Sequence, residues 1–139
     1  MMRIPFQRFP TVFARLRGRN GVVREFNSLV SSGTEYSIVP KVDAYRLGYP
    51  EAARDDPVTE PPNLFRGVSH SGFWEGMLIS LKEVAIGRVS RFDVDFIAFD
   101  LPQAAGFDVI LGRSFLASSK VSIDYEASEV RIGSRGGSS

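Results

Sequence analysis

The chain contains no cysteine. That absence removes disulfide staples, thiolate nucleophiles and cysteine-built zinc sites together. Histidine occurs once, at His70, so a histidine-rich metal centre is excluded as well. No apolar run approaches the roughly 18 residues that a membrane-spanning helix needs. Residues 1–10 hold arginines but no apolar leader core. An excess of one charge is also lacking: 17 Lys and Arg stand against 16 Asp and Glu, a formal net of +1, which leaves no electrostatic footprint for nucleic acid. The expectation is a soluble, cytoplasmic protein that binds neither nucleic acid nor membrane and needs no metal or organic cofactor.

The chain does contain a core's worth of apolar residues. Its 139 residues, 43% of them hydrophobic, are the size of one domain, and folding at this length buries about two-thirds of the unfolded surface. We read one domain over 1–132 and a flexible Gly/Ser tail over 133–139. Thirteen glycines and eight prolines punctuate short runs of valine, isoleucine, phenylalanine and tyrosine, the pattern of an all-β fold. Val12, Ala14 and Leu16 alternate with Phe13, Arg15 and Arg17. The Asn20-Gly21 pair before Val22 to Val30 then predicts a hairpin.

Lys41 to Leu47, entered from Pro40 and stopped by Gly48, predicts a short helix with Val42, Tyr45 and Arg46 at helical spacing. The four prolines between Tyr49 and Asn63 predict a loop. Strands are expected at Leu64 to Ser69, Phe73 to Leu81, Glu83 to Ile86 and Phe92 to Phe99, the last with Phe92, Val94, Phe96 and Ala98 on one face. Val109-Ile110-Leu111 reads as a strand covered on both sides, and Gly112 to Ser118 as a short helix. Val121 to Tyr125 and Val130 to Ile132 complete the pattern.

Two segments carry a family resemblance. The first is Phe26-Asn27-Ser28-Leu29-Val30-Ser31-Ser32-Gly33-Thr34-Glu35-Tyr36-Ser37-Ile38-Val39-Pro40, followed by the helix ending at Arg46-Leu47-Gly48-Tyr49. The second is Phe107-Asp108-Val109-Ile110-Leu111-Gly112-Arg113-Ser114-Phe115-Leu116, followed by Val121-Ser122-Ile123-Asp124-Tyr125. In this order, with a hairpin-like segment between them, they resemble the retropepsin-like aspartic proteases. That family runs through an apolar strand, an Asp-Thr/Ser-Gly turn, a second apolar strand, a short helix, a flap hairpin, Ile-Leu-Gly-Arg and a closing strand. The resemblance implies an antiparallel β-barrel with one or two short helices and a flap. It also implies a homodimer and an extended peptide substrate.

In the family, two turns meet across a twofold axis and each supplies one carboxylate. The like charges share a proton, so one carboxylate is base toward water while the protonated one polarises the scissile carbonyl. Here Val30-Ser31-Ser32-Gly33 falls on Val-Asp-Ser-Gly, so Ser31 stands at the position of the aspartate, with Ser32 and Gly33 kept. A serine hydroxyl with an ordinary pKa cannot share that proton, and the twofold axis would turn one substitution into the loss of both carboxylates. The chain as written is expected to be inert, either as an active-site mutant or as a natural pseudoprotease that serves as a peptide-binding or dimerisation module.

Further roles follow from the resemblance. Ser32 would link the two turns across the axis, and Glu35 would pair with Arg113 near the interface. Substrate would lie between Glu35 and a flap whose tip holds His70, Ser71 and Gly72, with Phe73 and Trp74 over side-chain pockets. Other chemistries fit less well. Ser31 with His70 lacks the Gly-x-Ser-x-Gly elbow of a serine hydrolase. Asp93, Asp95, Asp100 and Asp124 lack calcium-loop spacing. No glycine-rich phosphate loop is present.

Overall fold

Alternation along residues 11–17 decides which side of the first hairpin becomes core. Val12, Ala14 and Leu16 are buried while Phe13 and Arg15 are exposed, as a period of two requires. The computed structural model describes residues 2–53, 64–69, 72–101, 106–117 and 119–134. Its strands are β1 (Met2–Pro5), β2 (Thr11–Arg17), β3 (Val23–Val30), β4 (Ser37–Val39), β5 (Leu64–Ser69), β6 (Gly72–Ile86), β7 (Val89–Ala98), β8 (Val109–Leu111), β9 (Ser119–Asp124) and β10 (Glu129–Ser134). Helix α1 (Lys41–Arg46) follows β4, a single 3₁₀ turn covers Pro50–Ala53, and α2 (Arg113–Leu116) follows β8.

Strands β2, β3, β8, β4, β7 and β6 pair in that order, and β6 returns to β2 through Arg15↔Ala85, Leu16↔Val84 and Arg17↔Glu83. Six strands thus close into the expected barrel, and closure leaves no free edge among them. Two pairings inside it, β3 with β8 and β4 with β7, are parallel. They arise because the chain leaves β3, turns, and re-enters as β4 on the far side of β8. Strand β5 extends the sheet beyond β6 as the outer arm of a hairpin. A second sheet, in the order β1-β10-β9, packs Val130 and Ile132 into the same core, with Met2, Ile4, Val121 and Ile123 half-buried beside them.

The structure changes several expectations. The two runs Phe73 to Leu81 and Glu83 to Ile86 are one fifteen-residue strand, because the ladder skips a rung at the exposed Lys82 without shifting register, from Leu81↔Val94 to Glu83↔Phe92. The strand at Phe92 to Phe99 begins earlier, at Val89, and Phe92 is 63% exposed instead of buried with Val94, Phe96 and Ala98. The backbone at Asp93 has φ of 53° and breaks the alternation there.

Helix α1 ends as expected before Gly48, whose φ of 98° suits a glycine stop. It buries Ala44, with Leu47 just after it, and leaves Val42 and Tyr45 exposed. Residues Gly133 and Ser134, expected in the tail, extend β10 against Lys120 and Ser119. Pro5 does not prevent β1 from pairing, since it occupies the last position of an edge strand opposite Glu129. Among the described residues, no helix is long and apolar enough to cross a membrane.

Candidate active site

Strand β3 ends at Val30 and β4 begins at Ser37, so residues 31–36 form a turn that leaves the barrel wall and comes back to it. Three backbone bonds tie this turn to the β8-α2 corner. Ser31 N–H donates to Leu111 O at 3.0 Å, Arg113 N–H to Thr34 O at 2.8 Å, and Ser114 N–H to Glu35 O at 2.9 Å. Inside the turn, Thr34 Oγ1 donates to the Ser31 carbonyl at 3.3 Å. The corner fits this closely only because residue 112 has no side chain. A Cβ at Gly112 would lie 2.6 Å from Thr34 Oγ1 and 2.6 Å from Tyr36 O, inside van der Waals contact with a backbone oxygen that cannot swing aside.

Two serines fasten the turn from below. Ser37 N–H donates to Ser114 Oγ at 3.0 Å, and the two hydroxyl oxygens lie 2.9 Å apart. Ser114 Oγ also lies 2.7 Å from Asp95 O, and Gly112 N–H donates to Ser37 Oγ at 2.9 Å. The resemblance assigned roles to Ser32, Gly33 and Arg113 but none to Ser37 or Ser114. Nothing in the sequence marks them as partners, because 77 residues separate them.

The turn presents its top to solvent. Ser31 is half-buried, while Ser32, Gly33 and Glu35 are exposed. Beside it, Leu29 pairs with Ile110 across β3 and β8, and Ile38 pairs with Ile110 across β4 and β8. All three are half-buried, whereas their strand neighbours Ser28, Val30, Ser37, Val39, Val109 and Leu111 are buried. Alternation therefore aims an apolar strip away from the core and next to Ser31. This corrects the expectation that β8 is covered on both sides.

Sequence-expected residues come together only in part. Ser31, Ser32, Gly33 and Glu35 share the turn, and Arg113 adjoins it through its backbone. The expected Glu35 to Arg113 ion pair does not form within the chain. Ion pairs among the described residues lie elsewhere, at Arg17–Glu83, Arg19–Glu51, Arg131–Asp124 and Arg131–Glu129. Both side chains are exposed, where such a pair would contribute little against hydration, and amide-to-carbonyl bonds join the two segments instead.

The flap segment is an antiparallel hairpin of β5 and β6, in register from Leu64↔Met77 to Ser69↔Gly72. His70 and Ser71 lie outside the described residues, as do the side chains of Phe73 and Trp74. Among the described residues, no group of three or more carboxylate or imidazole side chains gathers as a metal cradle.

A closed six-strand barrel, a hairpin arm beyond it and a turn at residue 31 locked to a glycine corner define a recognisable architecture. The chain superposes on a retropepsin-like aspartic protease from Rickettsia conorii with a TM-score of 0.63, over 94% of this chain and 96% of that one, at 21% identity. The fold is retropepsin-like. A Simian Foamy Virus (mac) protease aligns more loosely, at a TM-score of 0.44 and 12% identity over 77% of this chain and 91% of that one. No family model and no curated protein matches the sequence. What this chain shares with the rickettsial protease is thus its fold, at 21% identity.

Proposed function

We propose that the chain is one protomer of a homodimeric aspartic endopeptidase, with Ser31 in the place of the carboxylate that each protomer contributes, and that it is inert as written. The observation that carries this reading is the turn of residues 31–36, fixed underneath by Leu111, Gly112, Arg113 and Ser114 and open on top at Ser32 and Gly33. A half-size barrel holds one such turn, so a pair of carboxylates requires a second copy related by a twofold axis.

Gly33 supports the same reading. Among the described residues a Cβ there would have only the Ser31 hydroxyl near it, at 4.0 Å, so none of them demands a glycine. A close approach from outside, by a partner turn or a substrate backbone, does demand one. The substrate is an extended peptide held between flap and turn by strand-like backbone bonds. The half-buried Leu29, Ile38 and Ile110 favour apolar side chains beside the scissile bond. A cytoplasmic location belongs to this reading, supported by the cysteine-free composition.

The chemistry missing from the present chain is proton sharing. With aspartate at position 31, two like charges brought close could not both ionise, and the pair would titrate in two steps that belong to the dyad. Ser31→Asp is therefore expected to give acid-favoured, pepstatin-sensitive cleavage of an unstructured protein substrate, read by fragment release between about pH 3 and 7. A folded, dimeric Ser31→Asp protein that stays inert throughout that range would overturn the peptidase reading and leave a peptide-binding module.

A further inference from the structure

Every hydrogen in the relay beneath the turn can be assigned. The Asp95 carbonyl oxygen is an acceptor only, so the Ser114 hydroxyl, 2.7 Å away, must donate to it. With that proton committed, Ser114 Oγ is left to accept from Ser37, both from its N–H at 3.0 Å and from its hydroxyl at 2.9 Å. Ser37 Oγ then accepts the Gly112 N–H at 2.9 Å. Each hydroxyl donates once and neither has a choice of direction. Ser37 is fully buried, so losing the Ser114 hydroxyl takes a hydrogen-bond partner from a buried group.

The relay joins three elements that reach the turn from different sides: β7 through Asp95, β4 through Ser37, and the β8-α2 corner through Gly112 and Ser114. Ser114 belongs to both layers of this arrangement. Its hydroxyl holds β4 and β7, while its N–H holds the Glu35 carbonyl in the turn itself. None of these groups titrates between acid and neutral pH, so the support stays the same across the range in which a carboxylate dyad changes its charge.

We propose that Ser114 is a positioning residue for position 31, fixing the height of the turn above the β8-α2 corner. This inference rests on the reading of position 31 as a dyad position. Across a twofold axis any shift of the turn occurs in both copies, so the separation of the two acids changes by the sum of two displacements. The coupling between the acids depends on that separation. A purely structural serine would affect how much protein folds. A positioning serine affects how the dyad titrates.

The test uses the full chain, with Ser31→Asp measured first and Ser31→Asp/Ser114→Ala beside it. Adding Ser114→Ala is expected to lower kcat about 100-fold, the cost of misplacing a reacting group by about 1 Å. KM should stay within about threefold, since binding along the apolar strip is untouched. The two apparent pKa values of the pH profile should move toward each other as the acids separate. Ser114→Thr, which keeps the hydroxyl, should restore both rate and profile.

An unchanged pH profile, or a kcat loss equal to the loss of folded dimer by sedimentation, overturns the proposal. If Ser31→Asp alone is inert, the peptidase reading fails by itself, and the relay is tested on the present chain by amide hydrogen exchange. Ser114→Ala should then speed exchange about tenfold at residues 31–36 and at Gly112 while β2 and β3 keep their protection, and equal exchange in the two proteins overturns the inference. Should Ser114→Ala fail to fold, Ser37→Ala cuts the same hydroxyl link from the β4 side and is read in the same ways.

Discussion

A Cβ placed on Gly112 would run into Thr34 and Tyr36 at 2.6 Å, whereas one placed on Gly33 would find, among the described residues, only the Ser31 hydroxyl, at 4.0 Å. The two glycines border the same turn, one beneath it and one on top. Beneath, the demand for glycine comes from the chain's own backbone. On top, none of the described residues makes such a demand, and the proposed reading places the constraint in a second molecule. The difference separates what the barrel needs in order to fold from what the site needs in order to work.

Substitution at both positions is the most direct way to break this comparison. Gly112→Ala forces a methyl group against backbone oxygens and is expected to cost about 3 kcal/mol or more, read as a lower urea midpoint with an unchanged slope. Gly33→Ala should leave the dilute chain within about 0.5 kcal/mol of the parent. In the same Gly33→Ala protein, self-association should weaken about tenfold by sedimentation equilibrium, equivalent to about 1.4 kcal/mol. Equal destabilisation by the two substitutions would mean that the top of the turn is constrained from within, and the contrast would be lost.

Much of the barrel was legible because strand alternation is a local signal. Val12, Ala14 and Leu16 show their burial in seven residues of sequence, and the Asn20-Gly21 turn announces the hairpin. Helix α1 was legible in position but not in facing. Six residues make less than two turns, too few for periodicity to distinguish Ala44 and Leu47, which are buried, from Val42 and Tyr45, which are not. Ile110 looked like core because a three-residue apolar run cannot show which of its faces is covered. The turn itself was legible through its resemblance to a known motif. Its support was not, because Ser37 and Ser114 are ordinary serines until the fold brings them together.

Asp93 sharpens the comparison with a smaller effect. Like Gly112 it answers a demand made inside the chain, here for a φ of 53° in the middle of β7, but it lies at an exposed position with room around it. A β-branched residue cannot adopt that conformation without strain, so Asp93→Val is expected to cost about 1 to 2 kcal/mol. Asp93→Gly should be neutral or slightly stabilising. The pair is read by thermal melts, and a tolerated valine would show that the chain does not impose this backbone conformation.

The smallest effect concerns charge. Glu35 stands exposed on the turn, whereas Asp43, one helix further on, is half-buried by its own chain. Burial raises the Asp43 pKa above its ordinary 3.8, against the opposing pull of Arg24 and Arg46. The folded state therefore holds this proton more tightly than the unfolded chain does. The stabilisation from that proton is fully present below the unfolded pKa and is lost as pH rises through the higher folded value. Asp43→Asn is neutral at every pH and escapes the loss. Its melting temperature should match the parent near pH 3 and exceed it increasingly toward pH 7. A gap that closes as pH rises would show that the arginines, not burial, govern this carboxyl.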